Sequence, residues 1–298
     1  MVRLGAENRP ANLIRVIPAE ENMEESKEGV FGPCALTVAG SDSGGNAGVQ
    51  ADLRTFHAYK VHGCTVFAAM TAQNPRGVTA IHPLPPAFIK AQLDAVLSMY
   101  AIKALKTGML ADSAAIEAIA AKLAAYPLIA KVVDPVMVAT SGARLIEDGA
   151  IATLKSRLLP LATVITPNIP EAEALSGMRI SSRADVREAA KRLHGEFGCA
   201  VVVKGGHAVG DMEEAEDTLF DGSSFHTATL PWVADPVSTH GTGCSLSAAL
   251  AAELALGAGL EEAFKGAKEC VHQAIANSYW VGEGCGVLGW TSPTRGAR

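Results

Sequence analysis

The sequence predicts an α/β fold in which helices cover both faces of a mostly parallel sheet. From Cys34 onward, short and nearly continuous apolar runs alternate with longer segments of helical period. Strands of that kind are buried on both faces, which is typical of parallel sheets. Hydrophobic residues make up 49% of the 298 residues and aromatic residues only 5%, a composition that suits an Ala/Val/Leu-rich α/β enzyme.

The predicted elements alternate between strand and helix along the chain. Strands are predicted at residues 34–39, 65–69, 104–107, 131–133, 164–166 and 201–203. Helices are predicted near residues 47–59, 87–100, 113–125 and 150–159, with a later Ala/Leu-rich helix that ends near Leu256. Right-handed crossovers turn such a series into a doubly wound sheet. Sheets of this type bind ligands beyond the carboxyl ends of their strands, so we expect a site at that edge.

One segment departs from this alternation and predicts a β-hairpin. Thr218–Phe220 and Ser223–Thr229 are strand-like and flank an Asp221-Gly222 turn. Because the hairpin precedes the richest motif, we expect it to flank the site. The sequence contains no internal repeat, so we predict one domain over residues 33–290, between tails at residues 1–32 and 291–298.

Charge and composition argue against several classes of partner. The formal net charge is -6 without a block of like charges, so we expect neither nucleic acid nor an anionic membrane surface. No apolar run reaches the roughly 18 residues of a membrane span, and the acidic first segment lacks a signal or transit pattern. We therefore expect a cytoplasmic protein. The six cysteines have no metal-type spacing with histidine and are predicted to be reduced and mostly buried.

The richest motif is the glycine turn His240–Ser245, which precedes the Ala/Leu-rich helix. Its glycines allow close backbone approach, and the N–H groups of a helix start favour an anion such as phosphate. An ordinary glycine turn is the alternative interpretation. Cys244 lies in the first helical turn, where we expect a lowered thiol pKa. A Cys/His hydrolase with His240 is a further alternative, although no orienting partner can be identified.

A second glycine-rich turn, Gly40–Gly48, follows the first strand. It contains neither a P-loop sequence nor a clean dinucleotide fingerprint, and it has no nucleophile elbow. Its glycines are better suited to let a small planar ligand approach the backbone.

Three other strand ends carry polar residues. Asn168 and Glu171, three residues apart, suit a hydrated Mg²⁺ or form a helix cap with its capping-box partner. Asp134, directly after the strand at residues 131–133, is either a carboxylate near the metal ion or a cap of the strand end. Lys204 can reach a phosphate or extend to solvent.

These segments resemble the motifs of the hydroxymethylpyrimidine/phosphomethylpyrimidine kinase family. The similar segments are Ala39–Asp52, Thr71–Asn74, Lys106–Leu110, Asp134–Met137, Thr166–Glu171, Lys204–His207 and His240–Cys244. They occur in the family's order between about Cys34 and Ser278, and the combination is specific although each segment alone is not. Pro75 stands where relatives often have threonine, and we expect this difference to alter the adjacent loop on the substrate side.

The resemblance implies a ribokinase-like three-layer α/β/α sandwich that uses ATP and Mg²⁺. The implied reaction is phosphorylation of 4-amino-5-hydroxymethyl-2-methylpyrimidine, and then of its monophosphate, in thiamine biosynthesis. It further implies four groups of residues: substrate contacts at Gln73, Gly40, Asp52, Met109 and Val136; magnesium ligands at Asp134, Asn168 and Glu171; an anion hole at Gly241, Thr242 and Gly243; and catalytic groups at Lys204 and Cys244. Lys204 would contact the ATP phosphates, and Cys244 would take the place of the aspartate base of most ribokinase-like kinases.

Two alternatives remain open from the sequence. A pyridoxal kinase would act on a flat heteroaromatic ring that also carries a hydroxymethyl group, and spacing does not separate the two substrates. A catalytically silent vitamin-binding protein would keep the pocket without the transfer. The oligomeric state also stays open, with a homodimer as one option, and the adenine contacts are not identified.

Overall fold

The computed structural model of the chain describes residues 32–137, 148–205 and 214–290. The predicted tails, apart from Gly32, lie outside the described residues. The same holds for Gly206 and His207 of the lysine motif.

A large sheet forms the centre of the fold. Its strands are β1 Cys34–Asp42, β2 His62–Asn74, β3 Gly77–Pro83, β4 Ala104–Thr107, β5 Ala130–Val133, β6 Val164–Ile165, β7 Ala200–Val203, β8 Glu214–Phe220 and β9 Phe225–Pro231. The described strands are ordered β3-β2-β1-β4-β5-β6-β7-β8-β9. Six neighbouring strands, β2, β1, β4, β5, β6 and β7, are parallel to one another. At the two edges, β3 pairs antiparallel with β2, β8 with β7, and β9 with β8. This confirms the predicted, mostly parallel sheet.

Eight α-helices are described. They are α1 Gly48–Ala58, α2 Pro86–Leu97, α3 Ser113–Leu123, α4 Asp148–Thr153, α5 Ile169–Ser176, α6 Arg183–Phe197, α7 Thr242–Ala255 and α8 Leu260–Ala276. Helices α2 to α6 pack on one face of the sheet and α1, α7 and α8 on the other. Alternate residues of each central strand feed the two cores: in β1, Leu36 faces one and Ala35 the other. The three-layer α/β/α prediction is confirmed.

Several element boundaries differ from the sequence prediction. Strands β1 and β2 run past their apolar runs as far as Asp42 and Asn74, and β3 was not predicted. The helix expected at 150–159 becomes π-helical at Leu154–Leu158 and 3₁₀ at Leu159–Leu161, because Pro160 lacks the N–H that a continuing α-helix needs. A small hairpin of β10 Tyr279–Gly282 and β11 Cys285–Val287 was also missed.

The predicted hairpin exists as β8 and β9, but its turn is longer than expected. Phe220 pairs with Phe225, which leaves a four-residue loop instead of the two-residue turn. The Asp221 carboxylate accepts hydrogen bonds from the backbone N–H groups of Ser223 and Ser224. This local bonding favours the longer loop.

The strand order places a topological switch point beside β1. The chain passes from β1 to β2 on one side and later to β4 on the other side. Such a point is where open α/β sheets bind ligands, outside the carboxyl ends of the strands. Among the described residues, no helix is both long and apolar enough to cross a membrane.

Candidate active site

The glycine-rich turn after β1 is shaped by one carboxylate. Asp42 accepts hydrogen bonds from the backbone N–H groups of Gly44, Asn46 and Ala47, at 2.8–2.9 Å. A carboxylate that binds several N–H groups fixes the path of the turn and the start of α1.

The same turn also positions the end of β2. The Ser43 hydroxyl lies 2.8 Å from both the backbone N–H and the carbonyl oxygen of Gln73. The Gln73 side chain thereby comes to line the cleft at the carboxyl edge of the sheet.

The start of α7 touches this turn. Gly241, the N-cap of α7, has a φ of 90°, which favours glycine. A Cβ atom built on it would lie 1.9 Å from the carbonyl oxygen of Asn46. No larger residue fits without displacing backbone, so this glycine allows the helix start to approach the first turn.

A lysine and two carboxylates meet beyond β5, β6 and β7. The Lys204 ammonium lies 2.7 Å from one Asp134 oxygen and 3.9 Å from Glu171. Asp134 also accepts hydrogen bonds from the hydroxyls of Thr166 and Ser247. Lys204 therefore points into the site, and the alternative in which it extends to solvent is wrong.

Asn168 and Glu171 form the helix cap that was considered as an alternative to metal binding. The Asn168 side chain accepts the Glu171 N–H at 2.9 Å, and the Glu171 carboxylate accepts the Asn168 N–H at 2.8 Å. Burial raises the pKa of Glu171 to about 7, although the nearby Lys204 charge lowers it. Both side chains also line the cleft, so the cap fixes them there.

The cleft gathers most residues that the sequence singled out. Eleven predicted residues line it: Gly40, Gln73, Met109, Asp134, Val136, Asn168, Glu171, Lys204, Gly241, Gly243 and Cys244. Thr242 does not. Its N–H donates to the Thr239 carbonyl at 3.5 Å, and it lines a neighbouring cavity instead.

Asp52 is a second correction to the predicted site. It is fully buried on α1 and does not line the cleft. Its carboxylate lies 2.8 Å from the Lys106 ammonium and accepts a hydrogen bond from Thr37 at 2.6 Å. A buried carboxylate needs such partners, so Asp52 supports the floor of the site.

Lys106 is a site residue for which the sequence suggested no role. It lies on β4 and lines the cleft beside Cys244. Burial would lower the pKa of its ammonium, but the Asp52 carboxylate raises it above the ordinary value. The site therefore has a fixed positive charge beneath Cys244. A lysine within an apolar strand was the available signal, because a buried lysine needs a carboxylate partner.

The predicted lowering of the Cys244 pKa is wrong. Burial raises the pKa of this thiol, and the charge of Lys106 opposes that shift only in part. Desolvation thus outweighs the charge of Lys106. The described residues contain no hydrogen bond between Cys244 and His240, which gives the Cys/His hydrolase no support.

A second, larger cavity adjoins the cleft. The two cavities share Asn168, Lys204 and Gly243. Its walls come from the hairpin β8–β9, the 231–242 segment and helices α7 and α8, so the hairpin flanks the site as predicted. Asp217 and Lys268 pair at 2.9 Å in its wall. The sequence did not reveal this cavity, because its lining residues form no contiguous motif.

The fold and the cleft define a class of protein: a ribokinase-like α/β kinase, in which a helix-start turn faces a lysine and two carboxylates. The profile of the phosphomethylpyrimidine kinase family matches residues 42–289, which is most of the chain. The chain belongs to this family.

Two relatives and two solved structures show how similar the chain is. The hydroxymethylpyrimidine/phosphomethylpyrimidine kinase of Synechococcus elongatus is 48% identical, covering 88% of this chain and 98% of the relative. The thiamine biosynthesis bifunctional protein ThiED of Geobacter sulfurreducens is 50% identical over 84% of this chain, which spans only 51% of that longer protein. The structure of Bacillus subtilis pyridoxal kinase with ADP has a TM-score of 0.79 and 38% identity, covering 87% of this chain and 97% of the other. The phosphomethylpyrimidine kinase structure from Clostridium difficile has a TM-score of 0.72 and 38% identity, covering 81% and 99%.

The buried pair beneath the cleft leads to a stability prediction. Lys106→Met should destabilise the protein by about 3–5 kcal/mol, because it leaves the Asp52 carboxylate buried without its counter-charge. The double variant Asp52→Asn/Lys106→Met should regain most of that loss. Urea unfolding measures the free energies. Lys265→Met, which removes an exposed pair with Glu261, is the control and should change little. If Lys106→Met and Lys265→Met lowered the free energy of unfolding by equally small amounts, this account of the Asp52–Lys106 pair would be wrong.

Proposed function

We propose that this protein phosphorylates 4-amino-5-hydroxymethyl-2-methylpyrimidine with ATP, and then phosphorylates the monophosphate to the diphosphate, as a step of thiamine biosynthesis. One observation carries the proposal: Gln73, Lys204 and Cys244, from distant segments, line one cleft. The names of the relatives at 43–50% identity support the same reaction. Six free cysteines, four of them buried, agree with a cytoplasmic location, which we also propose.

The planar substrate would lie against the turn after β1. Gly40, Met109 and Val136 line this part of the cleft, and a Cβ on Gly40 would meet the Met109 methyl at 2.5 Å. The Gln73 amide, which carries both donors and an acceptor, would bind the aminopyrimidine edge. The hydroxymethyl group would then point to Cys244.

ATP would occupy the second cavity, with its phosphates at the junction of the two cavities. Lys204 and Gly243 lie at this junction, where a lysine and a helix start favour phosphate. The adenine would pack against the apolar wall that includes Pro231, Val271 and Ile275. The ADP complex of the related pyridoxal kinase supports nucleotide use.

The donor set fits a magnesium ion held through water. Asp134 and Glu171 are buried carboxylates with one lysine between them, so two negative charges share one positive charge. Mg²⁺ prefers oxygen ligands and keeps several waters, so Asp134, Asn168 and Glu171 would hold it by way of its hydration shell. When bound, it supplies charge neutralisation on the phosphates.

The chain's own groups account for the transfer step. The step starts from the thiolate form of Cys244: the substrate hydroxyl oxygen attacks the γ-phosphorus, the bond to the ADP oxygen breaks, and the hydroxyl proton passes to the thiolate Sγ. Lys204 neutralises charge on the phosphates. The N–H groups at Gly241 and Gly243 would stabilise the transferring group; the Thr242 N–H already donates to the Thr239 carbonyl. Lys106 would favour the thiolate form of Cys244.

The reaction is tested by ATP consumption with a panel of acceptors. With hydroxymethylpyrimidine as the acceptor, the protein should release ADP and form the pyrimidine monophosphate and diphosphate, identified by mass. The kcat/KM should be higher than with pyridoxal or a sugar. Pyridoxal is the essential comparison because a related pyridoxal kinase shares this fold. Preference for pyridoxal would favour a pyridoxal kinase. Absence of ADP release with every acceptor, although an acceptor binds, would indicate a vitamin-binding protein without transfer.

Removal of the proposed base should slow turnover. We expect Cys244→Ala to lower kcat by about 10²- to 10⁴-fold, the range of general-base catalysis. Because the pKa of Cys244 is raised, thiolate is scarce at neutral pH, and wild-type kcat/KM should increase as the pH rises. Cys244→Ala should lose that increase. Cys285→Ala, outside both cavities, is the control. Unchanged turnover in Cys244→Ala would exclude the base role.

A further inference from the structure

A cluster of cysteine and histidine lies at the opposite end of the sheet from the cleft. Cys34 begins β1, and His62 and Cys64 begin β2. In the parallel pairing Cys34 faces His62, and Leu36 faces Cys64. Residues two apart on a strand, and directly paired residues on neighbouring strands, share a face of the sheet. All three side chains therefore point the same way.

The ligand atoms of these residues lie within metal-binding distance of one another. The two Sγ atoms and the imidazole nitrogen are all within 4.8 Å, and the sulphurs are 3.8 Å apart. A tetrahedral zinc site with Zn–S bonds of about 2.3 Å places two sulphurs roughly 3.8 Å apart. The two cysteine side chains thus already have the sulphur separation that zinc requires.

A disulfide between the cysteines is disfavoured by the register. Cys34 pairs with His62 and not with Cys64, so the cysteines are diagonal neighbours, whose Cα atoms are typically about 7–8 Å apart. Above about 7 Å a disulfide cannot close without backbone movement. A metal ion bridges the longer gap.

The histidine is held in place and accessible. His62 is exposed, and its ring stacks on Tyr100 with centroids 5.6 Å apart and an interplanar angle of 12°. Both cysteines are buried, so a metal would enter from the histidine side. Ring stacking limits the orientations of the imidazole, as outer-shell partners of ligands do.

We propose that Cys34, His62 and Cys64 form a three-ligand site for Zn²⁺, with the fourth position open to solvent. The ion would replace the two thiol protons. It would join the first residues of β1 and β2, at the opposite end of the strands from the cleft. Residue spacing does not indicate this site, because Cys34 and His62 are 28 positions apart and only the strand register brings them together.

The test measures Zn²⁺ binding to the full chain in excess Mg²⁺, which saturates the carboxylates of the active site. One equivalent should bind, and Co²⁺ in its place should show a thiolate-to-cobalt charge-transfer band. His62→Ala should weaken binding by at least about 10²-fold. His82→Ala, another exposed histidine, should not. Because His62 is on the surface, its variant should fold normally.

Cysteine variants give an independent readout. Cys34→Ser and Cys64→Ser should each lose the charge-transfer band, while Cys270→Ser, equally buried, should keep it. Bound zinc should also slow alkylation of Cys34 and Cys64, mapped by mass spectrometry. Failure of the wild-type chain to bind one equivalent, binding that survives His62→Ala, or a Cys34–Cys64 disulfide in place of metal binding would each overturn the proposal.

Discussion

The close approach of two backbone turns determines the geometry of the active site. Gly241 at the start of α7 meets the Asn46 carbonyl of the turn after β1, at a distance that leaves no space for a Cβ. The Asp42 carboxylate fixes the first turn, so it also fixes where α7 can begin. Helix N–H groups and the cleft are thereby held at the same edge of the sheet, as phosphoryl transfer to a positioned acceptor needs.

Each buried lysine near the site is paired with a buried carboxylate, which lowers the free-energy cost of placing these charges in a largely apolar fold. Asp52 with Lys106, Asp134 with Lys204, and Asp217 with Lys268 each join different elements. The second lysine lies at the junction of the two cavities, and the third lies in the wall of the second. Because each ammonium already has a carboxylate partner, positive charge can be kept near a phosphate site without the full cost of an isolated buried ion.

Much of the fold and of the site could be predicted from the sequence, and the predictions that were wrong have physical causes. Apolar runs and glycine turns predicted the parallel sheet and the edge at which its motifs meet, since strand ends follow from chain order. Charge partners could not be predicted, because they depend on register and helix packing. For that reason Asp52 was placed in the pocket, Lys106 was given no role, and desolvation of Cys244 was underestimated. Antiparallel β3 was missed because most of its residues are exposed.

The most direct test of the central claim compares two glycines that have the same backbone conformation. Gly241 and Gly257 have φ values of 90° and 87°, but only Gly241 faces a backbone oxygen where its Cβ would be, whereas Gly257 has open space. Gly241→Ala should lower kcat/KM for hydroxymethylpyrimidine phosphorylation by at least about 10²-fold, the loss typical of a damaged anion hole. Gly257→Ala should leave kcat/KM near the wild-type value. Equal activity of the two variants would contradict the account.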